Sequence, residues 1–377
     1  MIPQQQKPPI IWLNVALFTL TFLIAIIGVP LYLYFYNLDL TLVVMTIVAF
    51  CCCGMSITAG YHRLWAHQSY QANRFLRMMF ALGGAFALQN SILHWCADHR
   101  IHHRYVDNNN KDPYSAKKGF FYSHIGWMLR QYQASRYHDY SNCIDLQQDP
   151  IVVWQHKYYL LLAAIMNIGV PVVVGLLLGN LWGALLFVGV LRLVLSHHTT
   201  FFINSLAHKW GSQPYTDRNS ARDNGIIAWL TFGEGYHNYH HIFENDYRNG
   251  ICWWQFDPTK WLIKSCSWLG WTTNLKVTPA DRIEKTRTKM EFMRLQNKLK
   301  SLPNNSARLQ QLQFEYESLM SKISDYYQVN KRLIDLKQKK LANNYENFEF
   351  MQQYELIRQK LNQQRREWKY LLQQYTV

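Results

Sequence analysis

The sequence predicts an all-α integral membrane protein, with four transmembrane helices in two hairpins that are capped by a cytoplasmic helical domain. Three observations predict this fold. Hydrophobic residues make up 49% of the 377 and are concentrated in blocks near the ~20 residues that span a bilayer. The turns that join these blocks in pairs carry no basic residue. Eight of the fifteen histidines fall in three short clusters that can act together only on one side of the membrane.

The apolar blocks pair along the chain. Residues 10–36 and 39–60 are separated by a very short turn, so they predict an antiparallel hairpin of membrane helices. Residues 158–179 and 181–202 predict a second hairpin. Pro171 falls inside the third block, where membrane helices tolerate proline because neighbouring groups satisfy the freed backbone.

The apolar stretch 75–95 is predicted to be a helix that does not cross the membrane. One histidine cluster precedes this stretch and another follows it. If the stretch crossed the bilayer, the two clusters would lie on opposite faces and could not share a site. Gln89, Asn90 and His94 within it agree with a helix that is buried in the protein or lies along the membrane.

The charge distribution predicts the orientation. The chain carries a net charge of +15, and nearly all Lys and Arg lie on the side that bears the histidines. By the positive-inside rule, that side and both termini are cytoplasmic. The membrane would be the inner membrane of a bacterium or the endoplasmic reticulum of a eukaryote. A basic protein can also bind nucleic acid, but the apolar blocks favour an anionic membrane surface and anionic substrates instead.

The character of the chain changes near residue 280, which predicts a membrane domain at 1–280 and a helical extension at 281–377. The extension is rich in Gln, Leu and Lys, with leucines at helical spacing. Breaks are expected around residues 302–305 and 343–344. This pattern predicts a helical hairpin or short coiled coil that serves self-association, docks a reductase or lies on the membrane.

The histidine clusters predict a metal centre. They read His62-x4-His67, then His99-x2-His102-His103, and then His237-x2-His240-His241. Spacings of three and four place side chains on one face of a helix, and imidazole is the commonest protein ligand for metals near neutral pH. Eight histidines exceed what one metal takes, so the sequence predicts two metals. An all-imidazole ligand set suits iron, copper or zinc.

These clusters and their flanking residues resemble the membrane-bound fatty-acid desaturases, most closely the acyl-CoA Δ9 (stearoyl-CoA-like) branch. The resemblance covers roughly residues 10–275, and residues 246–261 look more like bacterial members than animal ones. The matching stretches are Gly60–His67, Trp95–Arg104, Asp112-Pro113, Gly119–Trp127 and Gly233–His241.

The resemblance implies two Fe2+ ions held by nine histidines without a bridging carboxylate, with O2 as co-substrate. His208 would be the ninth ligand, and Asn204 would bind one iron through water. The ligands of one iron would be His62, His67, His99, His103 and His240. Those of the other would be His102, His208, His237 and His241. The product would be a cis double bond at Δ9.

Other residues are expected around this centre. Ligating histidines usually donate their second N–H to a carboxylate or carbonyl, and the candidate partners are Asp98, Asp223 and Glu234. The resemblance implies an enclosed apolar tunnel, with substrate-binding residues at Asn90, Trp95, Trp127, Asp98 and Arg130. Phe50 would close the far end of that tunnel.

The partners follow from the same resemblance. The substrate would be a fatty acyl thioester or an acyl lipid. The chain contains no haem-binding segment, CxxC pair or dinucleotide loop, so electrons would come from a separate ferredoxin, or from cytochrome b5 with its reductase. Two alternatives remain: a related membrane di-iron hydroxylase or alkane monooxygenase, and a non-catalytic metal-binding scaffold.

Overall fold

The computed structural model describes residues 7–303, 305–339 and 344–376, and these are mostly helical. The α-helices are α1 (Trp12–Phe35), α2 (Leu40–Ala66), α3 (Arg74–Ala87), α4 (Ile92–Tyr105), α5 (Phe120–His124), α6 (Ile144–Gln147), α7 (Pro150–Lys157), α8 (Tyr159–Leu177), α9 (Leu181–His208), α10 (Gly225–Leu230), α11 (His237–Ile242), α12 (Pro258–Trp268), α13 (Ala280–Lys300), α14 (Ser306–Lys339) and α15 (Asn344–Thr376). Two short strands, β1 (Gln71–Ala72) and β2 (Thr272–Thr273), pair antiparallel.

Four helices of the described residues are long and apolar enough to cross a membrane, as predicted: α1, α2, α8 and α9. They contain 24, 27, 19 and 28 residues, so each reaches the ~20 that a bilayer requires. Asp39 begins α2 by accepting a hydrogen bond from Thr41 N, and Asn180 begins α9 by accepting one from Gly183 N. These caps lie in the tight turns, so both predicted hairpins are present.

The stretch 75–95 does not form one helix as expected, because residues 88–91 separate α4 from α3, which ends at Ala87. The expectation that this stretch does not cross the membrane agrees with the length of α3. Its 14 residues make it about 21 Å long, which is shorter than the ~30 Å core of a bilayer. It packs closely on α2, because a Cβ atom at Gly83 would lie 2.0 Å from Ser56 Oγ and one at Gly84 would lie 2.1 Å from the Tyr61 ring. The absence of side chains at these glycines therefore brings α3 directly against the end of α2.

The chain divides into two compact units, Met1–Gln213 with Asp217–Val277 and Pro214–Thr216 with Thr278–Val377. The second unit contains α13, α14 and α15, which adds one helix to the predicted hairpin. Its apolar core consists of Leu295, Leu299, Leu312, Leu319, Ile323, Leu361, Trp368 and Leu371. The helices end near both predicted breaks, although Asn304 and Asn343 themselves lie outside the described residues.

Candidate metal centre

The first histidine pair lies where α2 ends. The backbone N–H of His67 donates to the carbonyl of His62 at 3.0 Å, an i→i+5 bond that widens the last turn. Such wide turns often occur at functional sites. Both side chains are buried, so the turn directs two imidazoles into the protein rather than into solvent.

Helix α4 supplies the second cluster. Ser91 begins the helix by accepting a hydrogen bond from His94 N at 3.3 Å. Arg100 donates to the carbonyls of Trp65 and Ala66 at 2.9 and 3.1 Å, and this ties α4 to the end of α2. The two histidine-bearing segments are therefore held together by hydrogen bonds from the Arg100 side chain that do not depend on a metal.

The third cluster occupies the short helix α11. Asp223 holds the start of this helix by accepting a hydrogen bond from Tyr239 N at 3.0 Å. His208, at the end of α9, places its Nε2 3.0 Å from the Nε2 of His237. The fourth membrane helix therefore brings a ninth histidine to the cluster, as the resemblance implied.

The nine imidazoles form two groups. Within each group, the ring nitrogens that could bind a metal all lie within 4.8 Å of one another. One group contains His62, His67, His99, His103 and His240. The other contains His102, His208, His237 and His241. The division matches the two ligand sets that the resemblance implied, so the structure brings together all nine expected histidines.

The spacing of the ring nitrogens fits metal ligands. The Nε2 atoms of His67 and His99 are 2.8 Å apart, and those of His62 and His240 are 3.0 Å apart. Two nitrogens bound at right angles by metal–nitrogen bonds of about 2.1 Å would be about 3 Å apart. The donor set therefore has the geometry to hold a metal in each group.

The opposite ring nitrogens are held by three carboxylates. His62 Nδ1 lies 2.9 Å from Glu234 Oε2, and His102 Nδ1 lies 2.9 Å from Asp112 Oδ1. His103 Nδ1 lies 3.1 Å from Glu244. His102 and Asp112 share a hydrogen bond. A carboxylate beside Nδ1 favours the tautomer with its proton on that atom, which leaves the Nε2 lone pair free for a metal.

Hydroxyl groups contact the Nδ1 atoms of two further ligand histidines. Tyr114 lies 3.2 Å from His99 Nδ1, and Ser220 lies 2.8 Å from His208 Nδ1. Ser220 in turn donates to Asp107 at 2.6 Å. Sequence reasoning missed both hydroxyls and Glu244. Asp112 was expected only as part of the Asp112-Pro113 stretch, and no contact was predicted for it.

Only one of the three predicted carboxylate partners contacts a ligand histidine in the described part of the chain, and that is Glu234. The prediction was wrong for Asp98, which pairs with Arg136 at 3.1 Å. It was also wrong for Asp223, whose carboxylate binds the backbone of α11 rather than an imidazole ring. Asp98 directly precedes His99 in the sequence, whereas Asp223 is 14 residues before His237.

Arg63 connects the first cluster to the third. It is 1% exposed and donates to Glu234 Oε1 at 2.9 Å and to the carbonyl of Tyr247 at 2.8 Å. It also donates to Asp257, at 3.1 Å. Burial alone would raise the pKa of Glu234, but His62 and Arg63 lower it to about 2, so this carboxylate is ionised.

Burial favours the neutral form, which metal binding requires, for three ligand imidazoles outside the membrane helices, His99, His103 and His240. Burial, followed by the neighbouring histidines, lowers the pKa of His99 and His240 well below the ordinary value. Burial also lowers the pKa of His103, to about 4. A neutral ring at pH 7 can offer its lone pair without first losing a proton.

A cavity of about 190 Å³ lies beside the histidines. His62, His99 and His237 line it together with apolar side chains such as Leu17 and Phe18. Four of the predicted substrate-binding residues also line it, namely Asn90, Trp95, Asp98 and Trp127. Asn204 does so as well. The cavity therefore combines apolar walls with direct access to both histidine groups.

Two predicted substrate residues lie elsewhere. Arg130 donates to the carbonyl of Pro8 at 2.7 Å and does not line the cavity among the described residues. Phe50 packs its ring against Phe232, with centroids 5.4 Å apart, and it also lies outside the cavity wall. The tertiary contacts of Pro8 with Arg130, and of Phe50 with Phe232, cannot be deduced from local spacing.

Known proteins with similar sequences identify the family. The sequence profile named Fatty acid desaturase matches residues 39–272. The chain is 46% identical to a probable acyl-CoA desaturase of Schizosaccharomyces pombe and 38% identical to acyl-CoA desaturase 1 of Saccharomyces cerevisiae, over 73% and 76% of its own length. It spans only 56% of each of these relatives. It is also 36% identical to an acyl-CoA Delta-9 desaturase of Acheta domesticus, over 75% of this chain and 81% of that one.

These relatives are eukaryotic, so the expected likeness to bacterial members is not supported. The four apolar helices agree with an integral membrane protein, and the histidine groups agree with a metal site. The profile match and the identities above together show that the chain belongs to the fatty acid desaturase family.

Proposed function

We propose that the chain is an O2-dependent fatty acyl desaturase that introduces a cis double bond at the Δ9 position. The observation that carries this proposal is the convergence of nine histidines on the wall of a largely apolar cavity. The reaction would take a saturated –CH2–CH2– unit, O2, two electrons and two protons to –CH=CH– and two waters. The name of the Acheta domesticus relative supports the Δ9 position.

The proposed cofactor is a pair of Fe2+ ions, one in each histidine group, with Asn204 holding water at one of them. Bound iron would supply the activation of O2. The roles of the chain itself are to hold the imidazoles through Glu234, Asp112 and Glu244 and to keep their rings neutral. Preformed ligand geometry reduces the reorganisation that metal binding would otherwise require.

The cavity would select the carbon atoms. Methylene groups offer no polar handle, so the shape of the wall must place one C–H pair beside the metals. Trp95 supports this arrangement, because its ring stacks on His99 with centroids 4.8 Å apart. The indole would hold the acyl chain and the imidazole in a fixed relation.

The partners of the enzyme follow from its orientation. We infer that the histidines and both termini face the cytoplasm, where a separate electron donor, a ferredoxin or cytochrome b5 with its reductase, would reach the basic surface by electrostatic attraction. The helices of residues 281–377 are proposed to mediate self-association. The substrate is proposed to be a fatty acyl thioester or an acyl lipid.

The experiment is fatty-acid profiling, with location of the double bond, in a host that lacks its own desaturase. Expression of the chain should yield a new monounsaturated acid. His102→Ala and His240→Ala, one in each histidine group, should abolish that product. His138→Ala is the matched control, because His138 is exposed and belongs to neither group.

The product distinguishes the alternatives. A hydroxylated acid in place of an alkene would replace the desaturase with a hydroxylase. Confirmed iron loading and a supplied donor, with no oxidised product at all, would favour a non-catalytic metal-binding role. A double bond at another position would leave the activity intact and contradict the Δ9 assignment.

A further inference from the structure

A fully buried arginine lies in the middle of the fourth membrane helix. Arg192 is the twelfth of the 28 residues of α9, and none of its surface is exposed to solvent. A charged side chain at this depth is costly, and it usually pairs with an acid or with backbone carbonyls. In the part of the chain that the structure describes, Arg192 contacts no carboxylate. Its partners are backbone carbonyls, the side-chain oxygen of Asn167 at 3.1 Å, and the ring of Phe86, whose centroid lies 3.7 Å from the guanidinium carbon.

Side chains of the membrane helices satisfy the carbonyls at the end of α3. The last carbonyls of an α-helix lack partners within the helix, and they carry negative partial charge. Asn167 on α8 donates to the carbonyl of Ala85 at 3.1 Å. Arg192 donates to the carbonyl of Phe86 at 2.7 Å. The positive charge of Arg192 therefore lies at the negative end of a buried helix.

His197, which belongs to neither histidine group, continues this set of contacts. Its Nε2 lies 3.1 Å from the carbonyl oxygen of Ala87 and 3.2 Å from that of Leu88. A carbonyl oxygen can only accept a hydrogen bond, so this nitrogen carries the proton. Asn167, Arg192 and His197 together are called the membrane cap of α3 below.

The capped end of α3 leads directly into a left-handed turn that forms part of the cavity wall. Leu88 and Asn90 have φ angles of +53° and +76°, a region that residues other than glycine seldom adopt. Leu88, Gln89 and Asn90 all line the cavity that the ligand histidines line. Such a conformation persists only where the surrounding structure holds it, and the carbonyls that His197 contacts are those on either side of its first residue.

Helix α9 connects the membrane cap to the candidate metal centre. His197 and Asn204 both line the cavity, and His208 of the four-histidine group ends the helix. Seven residues of α-helix separate His197 from Asn204, which corresponds to about 10 Å. Because Arg192 and His197 attach the turn at Leu88 to this rigid helix, the distance between the turn and the histidines is fixed.

We propose that Arg192 and His197 are positioning residues of the desaturation reaction, because they hold the turn of residues 88–90 and so determine which pair of carbon atoms lies beside the ligand histidines. This inference rests on the proposed function and names residues that fix the position of the double bond. Neighbouring methylene groups are chemically alike, so only the cavity wall distinguishes them. A misplacement of about 1 Å can cost about 100-fold in rate at the intended carbons.

Fatty-acid profiling with location of the double bond tests the proposal. His197→Leu removes the donor to the two carbonyls, and Arg192→Met removes the charge and its donors. Each variant should raise the share of product with its double bond away from the main position by up to about tenfold, the discrimination that one lost hydrogen bond can provide. His197→Gln keeps an N–H donor at the end of the side chain, so it should restore the wild-type distribution.

Thr46→Val is the matched control. Thr46 is buried in the membrane helix α2, and it donates to the carbonyl of Leu42 in its own helix at 2.7 Å. The substitution therefore removes a buried hydrogen bond at a distance from the turn, and it should leave the product distribution unchanged.

Hydrogen exchange measures the hold on the turn without any turnover. In the purified full-length chain in detergent, the amides of residues 88–91 should exchange up to about tenfold faster in His197→Leu and Arg192→Met than in the wild type, because a lost hydrogen bond makes local opening easier. Thr46→Val should exchange at the wild-type rate over the same residues. Melting temperatures show which variants are folded.

Two results would overturn the proposal. One is a lower total yield with an unchanged product distribution in the folded variants, since a purely structural role predicts that outcome. The other is wild-type exchange of residues 88–91 in both His197→Leu and Arg192→Met. If Arg192→Met does not fold, His197→Leu decides alone, because it leaves the buried charge in place. A wild-type chain that forms no alkene would refute the proposed function, whereas the exchange rates would still test whether Arg192 and His197 hold the turn.

Discussion

Glu234→Gln should damage the metal centre more than Glu244→Gln, although each acid lies beside a ligand histidine. Glu234 is buried and contacts His62 Nδ1 at 2.9 Å, Arg63 Nη2 at 2.9 Å and Asn249 Nδ2 at 2.7 Å. The glutamine is nearly the same size, but one of its two terminal atoms donates rather than accepts. Whichever way the amide turns, it therefore presents N–H groups to Arg63 or to His62 and Asn249.

The magnitude follows from the burial of this network. Removing one partner of a buried ion pair costs about 3–5 kcal/mol of stability. Because Asp257 still pairs with Arg63 at 3.0 Å, we expect about 2–3 kcal/mol for this substitution. Loss of the carboxylate charge beside His62 Nδ1 should also weaken metal binding by about 10–100-fold, as for other partners of ligand histidines.

Glu244→Gln is the matched control. Glu244 contacts His103 Nδ1 at 3.1 Å, but its side chain is 47% exposed, whereas that of Glu234 is 3% exposed. Water can replace the lost acceptor, so the change in stability should be under about 1 kcal/mol. Metal content after purification and thermal unfolding with and without added Fe2+ measure both effects. Equal behaviour of the two variants would refute the argument from burial.

Three further predictions follow from the geometry. His208→Ala should lower the iron content of the purified protein from two to about one per chain, because it removes one ligand of the four-histidine group and none of the other; elemental analysis measures this. The metal-free protein should lose thermal stability as pH falls from about 6.5 towards 4. In this range the unfolded chain binds a proton at His103, whereas burial in the folded protein lowers the pKa of that imidazole to about 4. Unchanged melting temperatures across this range would contradict the assignment of neutral rings. Gly84→Ala should destabilise by about 1–3 kcal/mol, because the added methyl group overlaps the Tyr61 ring. Gly225→Ala, where nothing lies within 4 Å of the new atom, should be tolerated in the same melting assay.

The sequence predicted the parts of this structure that depend on local periodicity. Apolar blocks near 20 residues identified the four membrane helices, and the spacing of three and four identified the faces that carry His99 and His237. The need for the clusters to meet on one side of the membrane identified α3 as a buried helix. Each of these inferences uses information within one stretch of chain, or one simple rule of topology.

The contacts that sequence could not predict connect distant residues. Glu244 contacts His103 across 141 positions, and nothing in its local sequence indicates this partner. Arg136 is similar: it lies in a single 3-10 turn, Ala134–Tyr137, which is too short to show periodicity, and only the fold brings it to Asp98. Arg130 was expected to bind substrate because it follows the Gly119–Trp127 motif, but it donates to the carbonyl of Pro8. In irregular segments, neighbouring residues point in unrelated directions, so proximity in sequence says little about function.

Adjacent residues serve different histidine groups at two places, His102 with His103 on α4 and His240 with His241 on α11. Successive residues of an α-helix point about 100° apart, so the separation of the two groups is fixed by covalent backbone in both helices. An inserted or deleted residue within either stretch would rotate the following ligands and exchange members between the groups. In this family member, the length of these two segments is therefore constrained more tightly than the identity of the residues between the ligands.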